Sequence, residues 1–125
     1  MRVGYTPMRE DTSEERFLEL AADAIDGLPA WVHEVMNNVE VFVEDAPPDD
    51  GRTLLGVYHG VPLSRRGMHY AGALPDTITL FRAPIERLAQ GSDERLRRII
   101  AHTVAHELAH HFGISDDRLR EIGAY

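Results

Sequence analysis

His106, Glu107 and His110 stand in the order His-Glu-x-x-His within "HELAHHFGISDD", residues 106–117. On a helix, two histidines four apart project from one face, one turn above the other. At that spacing both imidazoles can reach a single Zn²⁺ at about 2.0–2.1 Å. Glu107 is rotated by about 100° from His106, which suits it poorly as a ligand but lets it reach a water beside the metal. Two ligands and a general base are therefore the chemistry this spacing offers.

A hydrolytic zinc takes a third protein ligand and keeps its fourth position for water. Gly113 tolerates a positive φ and allows a sharp turn after Phe112. Asp116, six residues beyond His110, can then swing back to the metal. Asp117 is the adjacent alternative, and either acid could instead serve the first turn of a following helix. Two neutral imidazoles and one carboxylate would leave the ion a net positive charge and its Lewis acidity.

Seven histidines and no cysteine make imidazole the available soft ligand and exclude disulfides, thiolate ligands and a thiol nucleophile. His102 and His111 read as solvated or core-edge residues, since His106 and His110 already form the pair. The acidic run Glu44, Asp45, Asp49 and Asp50 is broken by two prolines and reads as a solvated loop, not a calcium site.

The elements that must position these groups follow from periodicity. Thr12 or Ser13 caps a helix that starts with Glu14 and Glu15 and carries Phe17, Leu18, Ala21, Ala22, Ile25 and Leu28 at helical spacing. Gly27 and Pro29 end it, and a shorter helix runs through Trp31, Val32, Val35 and Met36. "VEVFV", residues 39–43, alternates as a strand. "TLLGVYHG", residues 53–60, is expected to pair antiparallel with it across the acidic loop. "TITLFR", residues 77–82, gives a third strand with its threonines toward solvent. Ser92, Asp93 and Glu94 favour a long helix carrying Leu96, Ile99, Ile100, Thr103, Val104, Glu107, Leu108 and Phe112, closed by Gly113 and followed by a short helix. The fold class is α+β: two helices, a small three-stranded mixed or antiparallel sheet, the motif helix and a short last helix.

The chain of 125 residues, 43% hydrophobic and 27% charged, suits one domain with one core over residues 1–125. Residues 1–11 show no period and are expected to be flexible. A net charge of −8 speaks against nucleic acid and anionic membrane surfaces as partners. The opening residues lack the apolar core of a signal peptide, and no stretch has the length of a membrane span, so a cytoplasmic location is expected.

"HELAHHFGISD" matches HExxHxxGxxD, the short-spaced zincin pattern with aspartate as the third ligand. "LPAWVHEVMNNVEVFVED", "LLGVYHGVPLSRRG", "LPDTITLFRAPIE" and "IIAHTVAHELAHHFGISDDRL" extend the likeness over roughly residues 13–122. Together they resemble the small bacterial zincin-like "minimal metalloprotease" family. The resemblance implies a zincin-like α+β core, Zn²⁺ held by His106, His110 and Asp116, and Glu107 as base. A hydrolase acting on a peptide or protein substrate follows, and a monomer is expected. No methionine follows Met68, so the methionine-containing turn of metzincins has no counterpart after the motif.

Zincins commonly pair the substrate backbone with an edge strand beside the motif helix, and Ile78 to Phe81 is the expected strand. His59, Tyr58, Tyr70, Arg65 and Arg66 are the groups from which a stabiliser of the tetrahedral oxyanion could come. The competing reading is a zincin-derived module that binds a peptide or protein without cutting it.

Overall fold

The computed structural model describes residues 2–4, 12–48, 54–60 and 74–121. Helix α1 (Thr12–Asp26) buries Phe17, Leu20, Ala21, Ala24 and Ile25. Those positions recur at intervals of three and four, the stripe that lets a helix lie on a core. Leu18 and Ala22, expected on that face, flank it half-buried. Helix α2 (Ala30–Val35) follows Pro29, and a 3-10 turn, Met36–Asn38, delivers the chain into strand β2 (Val39–Glu44).

Among the described residues the sheet has four strands in the order β1-β2-β4-β3, with β1 Arg2–Gly4, β3 Gly56–His59 and β4 Asp76–Phe81. Two points depart from the sequence-based expectation. Arg2–Gly4, which carries too few residues to show a period, pairs parallel with β2. The chain around it, residues 1 and 5–11, lies outside the described residues.

The second departure concerns pairing. β3 does not pair with β2 across the acidic loop; it runs antiparallel to β4, while β2 and β4 are parallel partners. The two strands flanking that loop are separated by β4, which lies between them in the sheet. Val41 opposite Ile78 and Val43 opposite Leu80 are the registers that bring the β-branched and leucine side chains together. Ile78 and Leu80 are fully buried, and Thr77 and Thr79 are half-buried on the other face.

After β4 comes helix α3 (Arg82–Ala89), a further element beyond those expected, which buries Pro84, Ile85 and Ala89. Pro84 sits in its first turn, where no intrahelical N–H is needed. Gln90 at φ +52° and Gly91 at φ +81° then break the helix before α4. Helix α4 (Asp93–His111) is capped by Ser92, whose Oγ accepts from the Arg95 N–H at 3.1 Å. The cap thus works through the backbone of Arg95, without the carboxylate of a capping box.

The core is one cluster from α1, α2, β2, β4, α3 and α4, with Phe17, Ile25, Ile78, Leu80, Ile85, Ile100 and Leu108 at its centre. Phe112, placed at helical spacing after Leu108, is the C-cap of α4 and is 47% exposed. Helix α5 (Asp116–Glu121) closes the described chain.

Candidate metal centre

The motif lies in the last two turns of α4, whose opposite side packs into the core through Val104, Ala105, Leu108 and Ala109. His106 and His110 come together as their spacing requires: their ring centroids are 4.1 Å apart. His106 is half-buried with Nδ1 sealed from solvent, so Nε2 is the nitrogen left to meet a metal. His110 is exposed. Two nitrogens on one tetrahedral zinc lie about 3.4 Å apart, given bonds near 2.0–2.1 Å.

The helix end is built to turn. Gly113 takes φ +74°, with open space where a Cβ would stand. The Ile114 N–H donates to the Ala109 carbonyl at 2.7 Å and the Gly113 N–H to the His110 carbonyl at 3.3 Å. That pair of bonds is the Schellman motif, which satisfies the last helical carbonyls and reverses the chain. Ser115 then caps α5, its Oγ accepting from the Arg118 N–H at 3.2 Å.

Asp116 is the first residue of α5, and its side chain lies outside what the structure describes. Asp117 is engaged elsewhere: its carboxylate, 90% exposed, pairs with Arg120 at 3.3 Å. Among the described residues no group of three or more His, Cys, Asp and Glu closes on one point.

Glu107 is half-buried and belongs to a different stripe of α4, formed with Thr103 and His111 four residues to either side. That stripe faces β3. A Cβ on Gly56 would come within 2.9 Å of Thr103 Cγ2, and one on Gly60 within 3.1 Å of His111 Cε1. Gly56, Tyr58 and Gly60 share one face of the strand because side chains alternate. Four strand residues rise about 13 Å and eight helical residues about 12 Å, so strand and helix run side by side in step. Glycine at both ends lets them approach closely.

Tyr58, one of the sequence candidates for oxyanion stabilisation, is committed to another task. Its hydroxyl donates to Asp76 Oδ2 at 2.5 Å, and its ring stacks on His111 with centroids 4.0 Å apart. His59 is exposed on the next position, and Arg65, Arg66 and Tyr70 lie outside the described residues. His102 stacks on His106 at 5.5 Å from an exposed position. Ile78–Phe81 cannot offer an open edge, because β4 is flanked by β2 and β3; among the described residues the edge strand beside the motif helix is β3. The acidic run also gains a role: Asp45 binds Arg82, while Asp49 and Asp50 lie outside the described residues.

The family model for zincin-like metallopeptidases matches residues 36–124. The chain belongs to the zincin-like metallopeptidase family. The match includes the edge strand, the motif helix and the turn after it. No curated protein matches the chain. Among solved structures, a conserved hypothetical protein from T. thermophilus is similar over 82% of this chain and 99% of its own, with 23% identity and a TM-score of 0.52. That likeness concerns the fold. No helix among the described residues is long and apolar enough to cross a membrane.

Proposed function

We propose that this zincin-like chain is a zinc-dependent metallopeptidase, with His106, His110 and Asp116 as ligands and Glu107 as general base. The observation that carries the reading is the division of labour on α4. The two histidines converge on one face, their rings 4.1 Å apart, while Glu107 occupies the neighbouring stripe toward the edge strand. A purely structural zinc would need no carboxylate there. Family membership supports the donor set, and the engagement of Asp117 with Arg120 favours Asp116 as the third ligand.

When bound, zinc would polarise the scissile carbonyl and acidify a water. Glu107 takes the proton of the attacking water and returns it to the leaving amine, a task that suits a partly shielded carboxylate. Its half-buried position on α4 gives it that partial shielding. The peptide lies extended along the outer edge of β3, where backbone N–H and C=O groups offer strand addition. The reading thereby moves the substrate-pairing role from Ile78–Phe81 to Gly56–His59. The net charge of −8 directs it toward a neutral or basic peptide or protein substrate, away from nucleic acid.

The test is metal content beside hydrolysis. Wild-type protein should hold about one zinc per chain, and His106→Ala should lose it. Glu107→Gln should retain the zinc while peptide hydrolysis, read on a fluorogenic peptide library, falls by about 100-fold or more. Full hydrolysis by Glu107→Gln would remove Glu107 from the mechanism. A wild-type chain that takes up no zinc would favour a peptide-binding module on the same fold.

A further inference from the structure

Tyr58, Asp76 and His111 form a cluster to which the proposed reaction assigns nothing. Asp76 opens β4, Tyr58 lies on β3, and His111 is the last residue of α4. The Tyr58–Asp76 hydrogen bond is 2.5 Å, the Tyr58 and His111 rings stack at 4.0 Å with planes 21° apart, and His111 Nε2 lies 3.9 Å from Asp76 Oδ2. Phe112 meets His111 edge-on at 5.0 Å. The carboxylate of Asp76 has only 14% of its side chain exposed. Its hydrogen bond therefore operates where water competes little.

The placement of this cluster is specific. His111 adjoins His110 and stands two residues before Gly113, where the chain turns toward Asp116. A helix's last turn is its most weakly held part, since its carbonyls lack intrahelical donors. Here the Schellman bonds hold the backbone, and the cluster holds the side-chain face against two strands. The absence of a side chain at Gly60 allows that contact, because a Cβ would press on His111 at 3.1 Å.

Resting on the metal-site reading above, we propose that Tyr58, Asp76 and His111 are positioning residues of the metal centre. They clamp the last turn of α4 to β3 and β4 and so hold exposed His110 in register with half-buried His106. The clamp acts through the helix backbone; none of its three side chains need touch the metal. Without it the last turn frays, and His110 spends part of its time away from the shared point, which weakens metal affinity in proportion.

The experiment loads the full chain with Co²⁺, reads the visible d–d bands, and then measures zinc affinity by chelator competition. Tyr58→Phe keeps the ring and loses the hydroxyl; Asp76→Asn keeps the shape and loses the charge. Arg82→Ala is a control for stability alone, at the opposite end of β4. The expected result is affinity lowered about 10-fold or more in both cluster variants, within the range that outer partners of metal ligands contribute. Their Co²⁺ bands should weaken, and Arg82→Ala should bind as wild type does. Wild-type affinity and bands in both cluster variants would overturn the clamp while leaving the metal site standing. A loss in Arg82→Ala equal to theirs at matched melting temperature would overturn it too. A wild-type chain that binds neither Co²⁺ nor zinc would overturn the metal reading and the clamp together.

Discussion

At the scale of single residues, Gly113 and Glu107 illustrate two kinds of constraint. Gly113 is demanded by backbone geometry: φ +74° with nothing within 4 Å of a built Cβ. Gly113→Ala should therefore destabilise the protein by about 1–2 kcal/mol, from left-handed strain alone. Urea unfolding would read this, and an unchanged midpoint would mean the turn is remade without the positive φ. Glu107 is instead demanded by the proposed chemistry. It is a charged residue on a stripe that otherwise packs against a strand, so its replacement by Gln should spare the fold and cost hydrolysis. His106 and His110 are legible from their spacing because a helix converts a separation of four into one face. The task of Tyr58 is not, because sequence carries no sign that Asp76, eighteen residues on, accepts its hydrogen bond.

At the scale of elements, the contact between β3 and α4 sets how closely the proposed substrate strand lies to the motif helix. Gly56 is its tightest point, with Thr103 Cγ2 at 2.9 Å and the Thr79 carbonyl at 3.1 Å from a built Cβ. Gly56→Ala should cost about 1–3 kcal/mol by overpacking. Adding Thr103→Ser removes the clashing methyl and keeps a hydroxyl able to bond the Ile99 carbonyl, now 2.8 Å away. The double variant should recover part of the loss in thermal melts; strict additivity would place the strain on the Thr79 carbonyl instead. Helices are readable in the sequence wherever an apolar stripe recurs, as in α1 and α4. Helix α3 is not, although Pro84, Ile85 and Ala89 form its buried side, because eight residues give only about two turns in which a period can recur.

At the scale of the whole molecule, Arg82 joins parts far from the motif. Its guanidinium, 17% exposed, meets Asp45 at 3.1 Å, Glu86 at 3.2 Å and Glu14 at 3.8 Å, and donates to Ser13 at 3.3 Å. Burial alone would lower its pKa, but the hydrogen bond to Asp45 and the charges of Glu86, Asp45 and Glu14 outweigh that and raise it. The starts of α1 and α3 and the end of β2 are thereby tied together. Arg82→Ala should cost about 1–2 kcal/mol in urea unfolding, because Asp45 is mostly solvated and its share is screened. Zinc uptake should not change. A further ion pair, Arg16 with Asp93, links α1 to the start of α4 at the surface.

The sequence by itself determined the local features of this protein: the α+β class, the motif helix, its histidine pair with the adjacent glutamate, and the glycine turn. Each depends on residues within a few positions of one another, where periodicity and backbone preference act directly. Strand partnership was decided only by the tertiary structure. Whether β3 pairs with β2 or β4 depends on which apolar faces fit across the core, and neither strand's alternation encodes its neighbour. That choice removed β4 from the edge, gave β3 the side of the proposed substrate strand, and brought Tyr58 and Asp76 to His111. Those three residues are distant in the chain, and only the assembled sheet and helix make them one site.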